Sequence, residues 1–483
     1  VFLVSWGGSD GVGGTGIVSY DVYVSDNGGA FTPFLTGTTA TSAVFTGQLN
    51  HSYGFYTRAV DVVGNIEAAP ATADATVAVS RTLEAIVKSH PWTDTDGDVY
   101  TVRFSGPGTL NAVLLDPDGD GHGPLDYLFA NGTTTKSSIT ITVKKNKLGG
   151  DGIVTIGDVV GTGALGTFSA TASHLIMNGL SFTGAVKSIK IRDILRPEPA
   201  LATPVLQIGG FTTDKLAITA HSVVDGTSIQ TPGIITSLTA ADIGVGTITA
   251  ASLGRLKTTA GGMDSDLLIS GAIGPVTVKG SASGSWTATS FGAISVTGGD
   301  FDAQLTSTTP LVTLGRKAAL ASLKISGGDF LGEIRVLGKA GAIRVSASRF
   351  GIGGNFNTGS INASNIASLS VGKNFVDSIV LAGADLGADH EFGGGNDTFA
   401  TGTIGAVSIG GNVTGTRSLI GAGFSRVGAV DTILGGTASA ITSLKVTGTA
   451  DGSLHFAAGR FKSKPKIAGT VIDPTVDPRF LVA

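Results

Sequence analysis

The sequence predicts an all-β protein, a small β-sandwich followed by a parallel β-helix solenoid, on three observations. First, residues 318–350 hold three short strands, each with two β-favouring aliphatics one position apart: Leu323 and Ile325, Ile334 and Val336, Ile343 and Val345. The residue between them is Lys324, Arg335 or Arg344, so alternation puts the aliphatics on one face and the cation on the other. Turns are expected at Gly327-Gly328, Gly338 and Gly341. Second, this text recurs: ISVTGGDF at 294–301 and LKISGGDF at 323–330 are nearly the same words. A strand, a corner and another strand with the same apolar pair describe one coil, and no coil buries its own face alone. Third, glycine supplies 74 of 483 residues, twice the usual ~7%, and charged residues only 14% against the usual ~25%. Both shares suit tightly turned β-structure.

Composition also sets limits. The 41% hydrophobic share argues against disorder, and the glycines follow no Gly-X-Y period, which excludes collagen. Cysteine is absent, which removes disulfides, thiolate metal sites and a cysteine nucleophile. A net charge of −4 gives no reason to expect nucleic acid as a partner. No apolar run reaches the ~18 residues of a membrane span, so no transmembrane segment is expected.

Residues 1–80 form the first unit. VFLVSW, YDVYV at 20–24, AVFTG at 43–47, SYGFYTRAVD at 52–61 and TVAV at 76–79 are alternating strands between Gly, Ser, Asp and Asn turns. Trp6, Tyr20-x-Val22-Tyr23 and the run Leu49-x-x-x-Tyr53-x-Phe55-x-x-x-Ala59-x-Asp61-x-x-Gly64-Asn65 make the whole segment resemble a fibronectin type III domain of bacterial extracellular proteins. The resemblance implies that Trp6 is the core tryptophan and Tyr53 the corner tyrosine, both structural. That fold has a strand before the tryptophan strand. Here Val1 opens the tryptophan strand itself, so the missing strand is expected either from residues upstream of Val1 or from another chain by strand donation.

Residues 81–150 read as a β-rich junction that caps the solenoid. Two acidic loops interrupt it: Asp94-Thr-Asp96-Gly-Asp98, and Asp116-Pro-Asp118-Gly-Asp120-Gly121. Oxygen ligands at alternate positions around a glycine bend are what a calcium loop needs. The second loop matches the first half of an EF-hand, yet its twelfth position is Tyr127, with only Asp126 nearby. Calcium on Asp94, Asp96 and Asp98 or on Asp116, Asp118 and Asp120 is one reading; a solvated Asp-Gly turn is the other.

The solenoid is expected over 151–458. Its coils are IVTIG at 153–157, SIKIRD at 188–193, LQIGG at 206–210, LAITA at 216–220, SLTAADI at 237–243 and VTVKG at 276–280. SLSVGKNF at 368–375, AVSIGGNV at 406–413 and SLKVTGTA at 443–450 continue the series. Pro197, Pro199 and Pro204 mark a loop, and 381–403 holds another insertion. Residues 459–483 read as a cap and tail. There Arg460, Lys462, Lys464 and Lys466 with Pro465, Pro474 and Pro478 protect an open end from edge pairing. From about residue 90 onward, DTDGDVYTVRFSGPG, TITVKK with GGDGIVTIG, the recurring VSIGG coils and the VDPRF ending resemble large exported bacterial β-strand-repeat proteins. The resemblance implies an extracellular or cell-surface location.

Chemistry is sparse. The seven histidines have no metal spacing, and His390-Glu391 lies in the loop GADHEFGGGND. Asp300 and Asp329 sit in Gly-Gly-Asp-Phe motifs, with Asp302 beside the first; as a carboxylate pair they could serve glycoside cleavage. The simpler reading is a corner, the aspartate bonding the turn and Phe301 and Phe330 stacking inward. No catalytic set is assigned. The expected function is a stalk, sheath, surface-layer or filament subunit, or an adhesin, assembling end to end or by strand donation, with the apolar Phe480-Leu-Val-Ala483 as one donor. A carbohydrate-binding or polysaccharide-cleaving protein is the alternative.

Overall fold

Apolar pairs separated by one polar residue leave the backbone only one way to bury both aliphatics at once, which is to extend. The computed structural model shows the result over all residues except 1, 10–13, 48–50, 80–83, 116–121, 177, 196–204, 309–317, 387–395 and 428–429. Among the described residues the protein is all-β, with no α-helix and one 3-10 turn at Gly436–Ala438. The chain divides into two units, Val1–Glu84 and Ala85–Ala483. The proline-rich stretch at 197–204 lies outside the described residues.

The first unit holds a four-stranded antiparallel sheet, ordered Thr32–Thr38, Ile17–Asp26, His51–Asp61 and Ala75–Val79, and a two-stranded one, Phe2–Ser5 with Ser42–Phe45. Phe45 joins them. Its ring lies 5.1 Å from Phe55, 4.9 Å from Tyr53 and 5.2 Å from Phe34, edge-on in each case, the geometry aromatic quadrupoles favour. Tyr53 is buried, as expected of a core residue. Trp6 is only half-buried, past the end of the first strand, and its indole nitrogen has no hydrogen-bond partner.

Among the described residues of the second unit, thirty-seven strands join one hydrogen-bonded sheet. The earliest pair antiparallel: Ser89–Thr93 with Val99–Ser105, Val99–Ser105 with Ser138–Lys144, and Thr109–Leu114 with Leu125–Thr133. Pairing then turns parallel for most of the later strands, each meeting one further along the chain, with Lys466–Ile467 and Thr470–Val471 an antiparallel exception. Ile294 lies opposite Leu323, Leu323 opposite Ile343, Ile343 opposite Leu369, Leu369 opposite Val407, and Val407 opposite Leu444. Every one of these side chains is buried. The register survives large changes in the length of chain between partners. Leu323 and Ile343 are 20 residues apart, whereas Leu369 and Val407 are 38 apart. Some of the surplus forms side hairpins, Ala384–Asp385 with Thr398–Phe399 and Phe424–Val427 with Val430–Ile433.

Residues 318–350 depart from expectation in one respect. Leu320–Ser326 is a strand, but the second and third apolar pairs share one unbroken strand, Glu333–Ser346. Its first half pairs with Phe301–Ser307 and its second with Leu320–Ser326, so it passes from one part of the sheet to another through a register shift near Val336. Gly338 and Gly341 are therefore strand residues. A Cβ on Gly341 would collide with the Ala321 carbonyl oxygen, so this glycine serves a close approach between strands.

The inward faces stack like on like. Phe301, Phe330, Phe356 and Phe375 form a column with centroid separations of 5.5, 4.2 and 5.1 Å, all four fully buried. Removing one ring leaves a void bounded by strands that the ladder holds in place. Phe330→Ala is expected to cost about 3–5 kcal/mol, seen as a lower denaturant midpoint. Phe350→Ala, at a ring 75% exposed, leaves the midpoint unchanged.

Candidate functional site

The acidic turn at Asp94–Asp98 joins the antiparallel strands Ser89–Thr93 and Val99–Ser105. It closes through Asp94 N–H to Asp98 O at 2.9 Å and Gly97 N–H to Asp94 O at 3.1 Å, with Gly97 at φ +88, a value that favours glycine. The turn brings three carboxylates together. One oxygen from each of Asp94, Asp96 and Asp98 lies within 4.8 Å of the others. Asp94 and Asp98 are buried and Asp96 is exposed.

Backbone amides meet these carboxylates. Asp98 Oδ1 accepts from Asn146 N–H at 2.5 Å and Asp98 Oδ2 from Gly152 N–H, while Asp96 Oδ2 accepts from Asp151 N–H at 2.9 Å. Asp94 Oδ1 accepts from Asp98 N–H at 2.8 Å. The turn thus pins the segment 146–152, a second duty for the same residues. A proton is also shared. Burial, the hydrogen bond to Asp96 and the neighbouring negative charges push Asp94 up from 3.8 to about 7, while the same bond holds Asp96 below its ordinary value. A carboxyl raised in the folded state keeps a proton that the unfolded chain has lost, so between about pH 4 and pH 7 stability falls as pH rises. The donor set fits a hard, oxygen-seeking cation in its charge and convergence, although three carboxylates supply only part of the six to eight oxygens calcium takes. Asp116, Asp118 and Asp120 lie outside the described residues.

The Gly-Gly-Asp-Phe aspartates are corner residues. Asp300 Oδ1 accepts from Asp329 N–H at 2.7 Å, and Asp329 Oδ1 accepts from Asn355 N–H at 2.8 Å. Asn355 Oδ1 then accepts from Asn374 N–H at 3.2 Å, Asn374 Oδ1 from Asn412 N–H at 2.9 Å, and Asn412 Oδ1 from Thr449 N–H at 2.9 Å. Asparagine replaces aspartate midway with the bonding unchanged. What the position needs is therefore a carbonyl-like acceptor, not an acid. Asp302 lies one residue past Phe301, exposed on the strand and opposite Ser283.

Two ionic groupings escaped the sequence reading. His174 Nε2 and His221 Nδ1 meet the two oxygens of Asp193 at 3.0 and 2.7 Å, with Arg192 Nε at 3.2 Å. Register brings them together, His174 standing opposite Asp193 and Asp193 opposite Ser222. Near the C-terminus, buried His455 faces Ser418 O at 2.8 Å and Asp451 Oδ1 at 2.8 Å. Hydrogen bonds from Ser453, Gly415 and His455 hold Asp451 well below the usual carboxylate range. Linear spacing hides the first, whose His221 and Asp193 are 28 residues apart, and the Ser418 contact of the second, 37 residues away, although Asp451 and His455 are only four apart. His390 and Glu391 lie outside the described residues.

Arg335, grouped by sequence with Lys324 and Arg344, stands elsewhere. It pairs with Asp385 through Nε to Oδ1 at 2.5 Å and Nη2 to Oδ2 at 3.2 Å. At the start of the second unit an open cleft of about 910 Å³ is lined by Ile86, Lys88, Arg103, Phe104, Leu110 and Thr140 among others, with no carboxylate side chain in its wall. No helix among the described residues is long and apolar enough to cross a membrane. No family model, curated protein or solved structure matches the chain.

Proposed function

We propose that this is an extracellular or cell-surface structural or adhesive protein, a fibronectin type III-like sandwich followed by a parallel β-helix, serving as a stalk, sheath, surface-layer or filament subunit. The observation that carries this reading is the register itself. Parallel pairing runs from Leu125–Thr133 to Phe480–Val482 while the chain between partners nearly doubles in length, and inward aliphatics stack on aliphatics, as from Leu323 to Ile343 and from Leu369 to Val407. Such a ladder resists bending because every coil shares its hydrogen bonds and its core with the next.

Cleavage of a polysaccharide has less support, since Asp300 and Asp329, the carboxylates best placed by sequence, each hold a backbone amide of the following coil. Assembly has two routes. In one, the ends of the second unit meet end to end. In the other, a strand is donated; Phe480–Val482 already pairs with Phe456–Ala458 of its own chain, so donation there would use its outer edge. Electron microscopy of the purified full-length protein at rising concentration is expected to show filaments, sheets or a lattice. Dispersed particles at every concentration would remove the assembly reading.

Calcium belongs to the same proposal, held by Asp94, Asp96 and Asp98 where these carboxylates already pin 146–152. Because Asp94 keeps its proton up to about pH 7, calcium must displace that proton at low pH. Calcium is therefore expected to raise the melting temperature more at about pH 8 than at about pH 5. Asp96→Asn removes most of the rise, and Asp94→Asn flattens the pH dependence of stability without calcium. No shift in the native protein at either pH would end the calcium assignment.

A further inference from the structure

One column of side chains in the second unit has a composition that folding does not require. Starting at Arg103 and following the register partners from strand to strand, it passes through Thr140, Ser169 and Lys190, then Thr219, Thr239 and Lys257. It continues through Thr277 and Ser295 to Lys324 and Arg344. From there it runs by Ser370 and Ser408 to Lys445 and Lys466. All fifteen members are cations or hydroxyls, and none is acidic, aromatic or aliphatic. Lys257 is half-buried, and the other six cations are exposed.

None of the seven cations is ion-paired among the described residues; the arginines that do meet aspartates, such as Arg192, Arg335, Arg426 and Arg479, stand off this column. Lys324 lies directly opposite Arg344, and Lys445 directly opposite Lys466. Like charges facing each other across adjacent strands are destabilising, and no carboxylate relieves them. The column two residues toward the N-terminal end of these strands is small and uncharged: Ala293, Ser322, Ala342, Ser368, Ala406 and Ser443. Nothing there shields the cations, and nothing stands tall enough to keep a second chain away.

Spacing narrows the partner. With strands ~4.8 Å apart, fourteen steps span ~67 Å, and the first four cations recur every third strand, ~14 Å apart. Nucleic acid is a poor match: duplex DNA carries a charge every ~1.7 Å of axis, and the column offers no aromatic ring for a base to stack on. A membrane surface would be gripped by basic residues set beside a broad apolar face, whereas this flank is Ala and Ser. An acidic polysaccharide fits better, since its chain carries separated acid groups with hydroxyls between them, as the column carries separated cations with Ser and Thr between them. We propose that this column binds an extended anionic polysaccharide laid along the ladder, its acid groups on the lysines and arginines and its hydroxyls on the intervening serines and threonines. The cleft at Arg103 would receive one end of that chain. The inference names a ligand for the adhesive reading above and rests on that reading only for where the ligand is met.

The test uses dispersed full-length protein, so that binding is read whether or not the protein assembles. Affinity electrophoresis and titration calorimetry are run against polygalacturonate, its fully methyl-esterified neutral form, anionic phosphatidylserine vesicles and single-stranded DNA. Binding is expected to polygalacturonate alone, weakening as salt rises. The quadruple variant Lys190→Ser, Lys324→Ser, Arg344→Ser, Lys445→Ser is expected to bind at least about tenfold more weakly, four exposed charge contacts being lost. A control with the same charge change away from the column, Lys136→Ser, Lys147→Ser, Arg349→Ser, Arg417→Ser, keeps native affinity. Circular dichroism melts confirm that both variants fold. Failure of the native protein to bind polygalacturonate, equal binding to the neutral form, equal loss in the control, or tighter binding to vesicles or DNA would each overturn the proposal.

Discussion

The second unit depends on parallel strands from successive stretches of chain meeting residue for residue. A strand's side chains alternate with a period of two, so a slip of one residue would turn Leu323 and Ile325 outward and bury Lys324. That penalty pins the register, and because each strand is held by the coil before it and the coil after it, the pinning spreads along the unit. Coils differ in length, so extra residues are forced to the corners, where hairpins such as Phe424–Val427 with Val430–Ile433 grow without disturbing the strands.

Once register is fixed, every position becomes a column. The inward columns are apolar, and the stacked rings of Phe301, Phe330, Phe356 and Phe375 are one of them. A corner column solves a different problem. Backbone amides at a turn have no strand partner, and an unmet buried amide is costly. Asp300, Asp329, Asn355, Asn374 and Asn412 each accept the amide of the next coil, so one side chain per coil completes the bonding that the strands leave open. An outward column has neither duty, and there composition is free to answer to something other than the fold.

Much of the architecture could be read from single residues. The pairs around Lys324 and Arg344 announced buried strands, and the recurrence of Gly-Gly-Asp-Phe announced the corner, including the inward phenylalanine. The run Glu333–Ser346 reads in sequence as two strands because Gly338 and Gly341 look like turns, while Gly341 answers to the neighbouring backbone at Ala321. Arg335 was grouped with Lys324 and Arg344 for the same reason: local pattern says inside or outside but not which part of the sheet. The acidic turn at Asp94–Asp98 was visible as a cluster, whereas its hold on 146–152 was not, since that contact joins residues some 50 positions apart. The grouping of His174, Asp193 and His221 had no linear signal at all.

Successive register partners place ten strand steps between Lys190 and Lys445 along one column. The chain has no cysteine, so Lys190→Cys with Lys445→Cys can carry two spin labels without any background site. Pulsed electron paramagnetic resonance on that protein should give one narrow distribution centred near ~48 Å between the labelled positions. A broad distribution, or one centred below ~30 Å, would contradict the in-register ladder on which the fold and both functional proposals stand.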